Sequence, residues 1–413
     1  MGQSNSVLVN QVVALVLNVK AWFVSNYIPR FLRAKAAPLP SPGVERCVIV
    51  AGPGGLDQLQ VVELKDRVTR GYNLGNTPFT ALADEYDPSL VVVKVDYFSI
   101  NFADVCIRWG LYESALRYVG WPICPGFDLS GTVAWADPSS GLRQGDKVFG
   151  FSLFGAYSSR VLVPARQLRR TPSALRQNVA AAVPAVAATA LHAVALAGGW
   201  PQQVRTTNKS VLIHSAAGGV GSMLIQICKL RGYSPIVAVV GSAHKVNFCR
   251  NLGADFVIDK SSCSNFWKRA REVCPNLFTA IFDANGVESI EHSYQHLSQC
   301  GTLVCYGFHS NIPKAKTFLS PREWVSMIVK MARMPRFDAM DLVLSSKRIA
   351  GFNLSFFSEE HDLIAQYMDE ILSWLQSGSL TCPDPTVFPV SQIADAHELI
   401  QSGQSVGKIV VSL

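Results

Sequence analysis

The chain has 413 residues, 49% of them hydrophobic and 16% charged, enough apolar material for two buried cores and too apolar for a disordered polymer. Of its formal net charge of +7, four charges (Lys20, Arg30, Arg33 and Lys35) fall in an acid-free stretch over residues 1–44. No lysine–arginine run elsewhere interleaves with aromatics, so no nucleic-acid partner is expected. Ten scattered cysteines without a C-x2-C pair argue against a disulfide scaffold and suit a reducing compartment.

Residues 7–28 carry a single charge, Lys20. As a helix they would run about 33 Å, enough to cross a hydrocarbon core. Asn10, Gln11, Asn18 and Ser25 share one face at 100° per residue, with valines, leucines, Trp22 and Phe23 around most of the rest. This describes a helix lying in a membrane surface, with Arg30, Arg33 and Lys35 meeting anionic headgroups. The opening Met1-Gly2-Gln3-Ser4-Asn5-Ser6 makes Gly2 a myristoylation candidate, and one acyl chain needs such a second signal to hold. A mitochondrial presequence, a helix packed on its own protein, and a spanning helix with the catalytic part in the cytosol remain alternatives. The Pro/Ala-rich stretch Ala36–Gly43 reads as a linker, so segment 1–44 is expected to anchor or target a protein proper that begins at residue 45.

Residues 45–180 hold short apolar runs between Gly/Pro turns: Cys47–Val50, Leu90–Val95, Gly131–Val133, Lys147–Gly150 and Tyr157–Val163. Strands at this density predict a barrel-like β domain. Residues 181–345 change rhythm. The strand Val211-Leu212-Ile213 enters the small-residue turn Ala216-Ala217-Gly218-Gly219-Val220-Gly221, which opens a helix with apolar spacing at Met223, Leu224 and Ile227. Such a turn lets backbone approach a pyrophosphate at a helix N-terminus. Further strands at Ile236–Val240, Phe256–Asp259, Thr279–Phe282 and Thr302–Tyr306, separated by helical segments, predict a doubly wound parallel sheet of the Rossmann type. Residues 346–413 are expected to return to the β domain.

Cofactor choice is read after the second strand. An NAD site would place Asp or Glu there for the ribose 2′-hydroxyl. Here the chain runs Val240-Gly241-Ser242-Ala243-His244-Lys245, with no acid before Asp255. Gly241, Ser242, Lys245 and Lys260 are the residues expected to face a 2′-phosphate, so NADPH (NADP) is the expected cofactor.

Several motifs occur in order: Asn101-Phe102-Ala103-Asp104 with Gly110-Leu111-Tyr112, Pro125-Gly126-Phe127-Asp128, Gly145-Asp146-Lys147-Val148, Gly155-Ala156-Tyr157, Ala188-Thr189-Ala190, the Ala216–Gly221 turn, and Val406-Gly407-Lys408. Together they resemble the quinone oxidoreductase branch of the zinc-independent medium-chain dehydrogenase/reductase superfamily over roughly residues 45–413. Within that branch the chain most resembles the vesicle amine transport protein homologues, through the insert ending at Phe337–Leu344 and Gly351-Phe352-Asn353-Leu354. Departures are Asp128 where relatives usually have Glu, an extra stretch near Arg67–Tyr86, and the N-terminal segment. The resemblance implies an α/β fold with the Rossmann domain inserted into a GroES-like β domain, and an active site in the cleft between them. It implies cofactor contacts by Thr189, Asn285, Gly307, Phe308 and Asn353, with Tyr112 beside the nicotinamide.

Zinc-dependent relatives hold metal with a cysteine and a histidine at the positions of Asn101 and Phe127 here, neither a plausible zinc ligand, so no metal is expected. His292 and His296 have i, i+4 spacing but no third ligand nearby in sequence, and read as a solvated helix face. Quinones and conjugated enones need no strong Lewis acid, only positioning and hydrogen bonds to a developing oxyanion. The expected function is therefore hydride transfer from NADPH to a quinone or enone, with Tyr112 and Asn101 as donors, at the cytoplasmic face of a membrane. A homodimer is a family-level expectation. Two alternatives remain: a membrane-associated nucleotide- or lipid-binding protein with little turnover, for which Trp324–Met334 is a second apolar-basic stretch, and an accessory subunit of a larger assembly.

Overall fold

The computed structural model describes residues 45–63, 69–70, 89–198, 209–312, 321–357 and 360–413. The amphipathic segment and linker over 1–44, and most of the extra stretch at Arg67–Tyr86, lie outside the described residues.

The first lobe is built from β1 (Arg46–Val50), β2 (Leu59–Glu63), β3 (Thr69–Arg70), β4 (Leu90–Ile100), β5 (Asp128–Ala136), β6 (Lys147–Phe151), β7 (Arg160–Pro164) and β8 (Leu168–Arg170). Strand β4 is its spine, antiparallel to both β5 and β7. Val91, Val93 and Val95 enter the lobe's main core at period-2 spacing, while Val92 is buried on the other face with Leu162. A register shift between Val95 and Tyr97 then moves the buried set to Phe98 and Ile100, as a bulge does when one strand carries an extra residue. The strand expected at Tyr157–Val163 begins later, at Arg160; Tyr157 instead accepts the Val48 amide (2.8 Å) and stacks its ring on Phe98 (4.2 Å).

The second lobe is a six-stranded sheet of β9 (Val211–Ile213), β10 (Ile236–Val240), β11 (Phe256–Asp259), β12 (Phe278–Asp283), β13 (Leu297–Cys305) and β14 (Arg348–Gly351). Its order is β11-β10-β9-β12-β13-β14, and every pairing is parallel. This is the doubly wound order, which reverses between β9 and β12. Helix Gly219–Leu230 covers one face with Met223, Leu224, Ile225 and Ile227, each contributing roughly 1.5–3 kcal/mol when fully buried. Helix Pro184–Gly198, apolar almost all round, is a buried core helix for the same reason.

The sheet runs past residue 345, where the sequence puts the end of this domain. Strand β14 pairs with β13, and Ile364, Tyr367, Met368 and Ile371 of helix His361–Ser377 join the same core as helix Pro184–Gly198. The return to the first lobe comes at β15 (Thr386–Pro389) and β16 (Ile409–Ser412), with β16 antiparallel to β4. Because β4 precedes the Rossmann strands and β16 follows them, the parallel sheet is an insertion in the β lobe.

Candidate active site

A cleft of about 1160 Å³ opens between the lobes. The nucleotide lobe lines it with Ala217, Gly218, Gly219, Val220 and Gly221 of the small-residue turn, and with Thr189, Gly241, Lys245, Lys260, Asn285, Gly307, Phe308 and Asn353. The β lobe contributes Asn101, Tyr112 and Phe127. Two expected residues are not in this wall. Ala216 is fully buried beneath the turn, with its amide donating to Val239 O (3.1 Å), and the half-buried Ser242 stands just beyond Gly241.

The turn is shaped by contacts too close for larger residues. A Cβ on Gly221 would lie 2.6 Å from both Ala216 Cα and Ser215 O, and one on Gly218 would lie 3.2 Å from Ser215 O. Helix Gly219–Leu230 starts at Gly218 with no side-chain cap, so its first turn keeps its positive end toward the cleft. Ser215, at φ 50°, donates its hydroxyl to Asn285 Oδ1 (2.8 Å). The Asn285 amide donates to Asp283 Oδ1 (2.8 Å). The buried Asp283 also receives the hydroxyls of Ser289 (2.9 Å) and Ser293 (2.8 Å). Small residues, an uncapped helix start and lysines in one wall are what a dinucleotide requires, so the residues present fit such a cofactor.

At the other end, the Tyr112 hydroxyl donates to Asn353 Oδ1 (2.9 Å), which also accepts from Ser355 Oγ (2.8 Å) and Ser355 N (3.1 Å). Burial pushes the Tyr112 hydroxyl up to about 12, so the phenol is neutral and a donor at ordinary pH. Its ring meets Phe127 edge-on at 6.0 Å, and Phe127 packs on Phe154 at 5.3 Å.

The Asn101 side chain is engaged on both sides. Its Nδ2 donates to Asp128 Oδ2 (2.8 Å), and its Oδ1 accepts from Lys408 Nζ (2.7 Å). Its backbone amide donates to Asp104 Oδ2 (2.8 Å), and Gly126 N donates to Asp104 Oδ1 (3.0 Å). Asp104 is thus a structural acceptor holding two cleft segments together, and burial raises its carboxyl to about 7. The two positions that the sequence compares with zinc-ligand positions hold Asn101, hydrogen-bonded between Asp128 and Lys408, and the packed ring of Phe127. Among the described residues no three or more His, Cys, Asp or Glu side chains cluster as a metal would require.

Sequence reasoning gave no site role to Lys408, Asp128, Ser355 or His309. Lys408 enters the cleft just ahead of β16 and is buried, and a Cβ on Gly219 would meet its Cδ at 2.7 Å. Its glycine–lysine motif was visible, but not where it docks. Lys245 is buried with its amine donating to Gly403 O (2.6 Å), and burial lowers its pKa. Lys260 is exposed, 5.9 Å from the Phe266 ring. His292 is exposed as expected, but His296 is buried. Trp267 stacks on His296 at 4.3 Å and Arg271 donates to its Nε2 (3.1 Å), because the helix presents that face to the neighbouring Phe266–Val273 helix and not to water.

Two family models match in the order of the two lobes: the alcohol dehydrogenase GroES-like domain over residues 87–173 and the zinc-binding dehydrogenase domain over residues 219–371. Between them they take in more than half of the chain. The chain belongs to the medium-chain dehydrogenase/reductase superfamily. Its relatives place it in the quinone oxidoreductase branch. The synaptic vesicle membrane protein VAT-1 homolog of Rattus norvegicus is 25% identical over 369 residues, covering 89% of this chain and 83% of that protein. The probable quinone oxidoreductase of Leishmania amazonensis is 25% identical over 369 residues, 88% of this chain and all of that protein. Among solved structures, the Escherichia coli quinone oxidoreductase complexed with NADPH superposes with a TM-score of 0.69 at 20% identity, over 89% of this chain and 100% of that one. The human synaptic vesicle membrane protein VAT-1 homolog-like protein gives 0.68 at 20% identity, over 90% and 98%.

Proposed function

We propose that the protein is an NADPH-dependent reductase that reduces a quinone or conjugated enone. The observation that carries this reading is one cleft with the Ala217–Gly221 turn at one end and the Tyr112–Asn353 hydrogen bond at the other. A bound reduced nicotinamide supplies the hydride. In the product quinol or ketone that hydride is joined by a proton, delivered from solvent or through a hydroxyl. Tyr112 offers a neutral hydroxyl to the oxygen on which negative charge develops, within an apolar wall that strengthens such a bond. The hydroxyl proton, which Tyr112 donates to Asn353 Oδ1 in the absence of substrate, turns to the substrate oxygen, and Asn353 Oδ1 keeps the two bonds it accepts from Ser355. Asn101, tied to Asp128 and Lys408, keeps one Nδ2 hydrogen for an acceptor and otherwise positions the wall. Lys245 and Lys260, beyond Gly241, favour a 2′-phosphorylated nucleotide. The printed names of a relative and of a solved neighbour, a probable quinone oxidoreductase and a quinone oxidoreductase complexed with NADPH, support the same reading.

The acid-free basic segment 1–44 supports attachment to a membrane surface, and the vesicle-membrane name of the VAT-1 homologues agrees with it. The edge strand β14, half-exposed and next to the exposed Val343 and Leu344, suits a homodimer. A second reading, a lipid-handling protein with little turnover, is favoured by the exposed Val325, Ile328 and Val329 on helix Pro321–Ala332. Turnover separates the two. Quinone-dependent oxidation of NADPH by the purified full chain, abolished in Gly219→Asp, is expected; tight NADPH binding without turnover across quinones and enones would favour the second reading.

A further inference from the structure

The mouth of the cleft differs in character from its nucleotide end. Leu111 and Phe356 line the cleft and are yet 37% and 40% exposed. Leu111 adjoins Tyr112 in the chain and Phe356 follows Asn353 by three residues, so both flank the Tyr112–Asn353 hydrogen bond. Large apolar side chains left in water on a binding cleft mark a surface that is covered when the site is in use. Phe356 belongs to a fastened lip. Ser114 and Ser355 share a hydrogen bond (2.7 Å) and Tyr118 meets Phe356 edge-on at 6.2 Å, so helix Glu113–Tyr118 and the turn Leu354–Phe357 are clamped across the lobes. Next to the lip lies Tyr112, its hydroxyl on Asn353 and its ring packed with Phe127 and Leu153. Thus one hydroxyl stands beside an apolar surface that leads from it to solvent.

We propose that the acceptor carries a hydrocarbon chain of several carbons, which leaves its electrophilic carbonyl head at Tyr112 and lies over Leu111 and Phe356. This rests on the reductase reading and specifies its substrate class: an alkyl- or isoprenyl-substituted quinone, or an enone with the same tail. A polar or unsubstituted quinone would leave the lip exposed and gain nothing from it. A buried methylene contributes about fourfold in binding, so a partly covered chain is expected to raise kcat/KM by about 10- to 100-fold over the tailless head.

The test is steady-state kinetics of the full chain with NADPH on two series, benzoquinones and 2-enones, each with one head and alkyl tails from none to ten carbons, below their aggregation concentrations. Equilibrium binding of both series to the NADP-loaded protein is followed by quenching of tryptophan fluorescence. Support is a rise of kcat/KM or affinity with tail length that flattens in Leu111→Ser/Phe356→Ser, while Val387→Ser, an exposed valine on β15 remote from the cleft lining, keeps the wild-type slope. A response confined to one series identifies the head. Affinity and kcat/KM independent of tail length overturn the inference with the reductase reading intact. Absence of turnover overturns the reductase reading, and the binding series then still decides the tail. A slope that survives the double substitution removes the lip from the account and overturns the inference.

Discussion

Lys408 Nζ stands 3.6 Å from Asp128 Oδ2, and both side chains are withdrawn from water. The ammonium also donates to Ile100 O (3.0 Å) and Asn101 Oδ1 (2.7 Å), and Asp128 receives Ser99 Oγ (2.5 Å) and the Ala185 amide. Burial works against the charge on Lys408 and the carboxylate of Asp128 sustains it. Since Gly407 N donates to Ala217 O (2.8 Å), the pair also anchors the last strand of the β lobe under the nucleotide turn. Removing one partner strands the other in the interior, so Lys408→Met and Asp128→Leu are each expected to cost about 3–5 kcal/mol. In urea denaturation the double variant should cost clearly less than the sum; additivity within about 0.5 kcal/mol would show that the charges are not coupled.

Gly221→Ala tests the shape of the turn. Its new methyl would meet backbone at 2.6 Å, which no rotamer relieves, so about 1–3 kcal/mol of stability is expected to be lost together with NADPH affinity. Gly241→Ala meets nothing within 4 Å and should fold as the wild type. Calorimetric melting of the two variants side by side checks the contrast, and an unaffected Gly221→Ala melt would contradict the packing argument.

Tyr112→Phe removes the hydroxyl but keeps the ring against Phe127. Loss of one preorganised donor to a developing oxyanion costs about 10²–10³ in kcat, whereas the hydrogen bond itself contributes only about 1 kcal/mol to folding. A large fall in kcat with a small fall in melting temperature is therefore expected. With the phenol pushed up to about 12, the kcat profile should show no ionisation of Tyr112 below pH 10.

His309 packs against Phe102 at 4.1 Å in the cleft wall, and burial lowers its imidazole to about 4. The folded protein resists protonation there, while the unfolded chain takes up the proton near pH 6.5. The stability tied to neutral His309 is thus fully present above pH 6.5 and is lost as pH falls toward 4. The ring is only half-buried, so the loss is about 1–2 kcal/mol, below the limit set by the full shift. Urea midpoints of wild type and His309→Gln at pH 7.0 and 4.5 measure it: the variant should lose less on acidification, and parallel losses would refute the assignment.

Lys245 donates to Gly403 O from inside the cleft wall. If its ammonium also meets a 2′-phosphate, Lys245→Ala should raise the KM for NADPH about 10- to 100-fold, a charge-assisted bond's worth, with the KM for NADH nearly unchanged. Equal losses on both nucleotides would assign Lys245 to holding the Gly403 loop alone.

Local chemistry was legible in the residues themselves. The apolar strand into Ala216–Gly221, the apolar run Leu90–Val95 and the strand–helix rhythm after Val211 each depend on neighbours a few positions away, and each yields the element they imply. The motifs also identified most of the cleft wall, since turn residues sit at the carboxyl ends of parallel strands wherever such a sheet forms. What the chain brings together across distance was not readable. The partnership of Lys408 with Asp128, the withdrawal of Ala216 beneath its own turn, and the burial of His296 behind Trp267 all follow from how separate elements dock. So does the sixth strand beyond residue 345, because Arg348–Gly351 is too short to declare itself and becomes a strand only where β13 offers an open edge. Periodicity fixes which face of an element is apolar. Only packing decides which other element that face meets, and therefore which polar groups lose their water and must find one another.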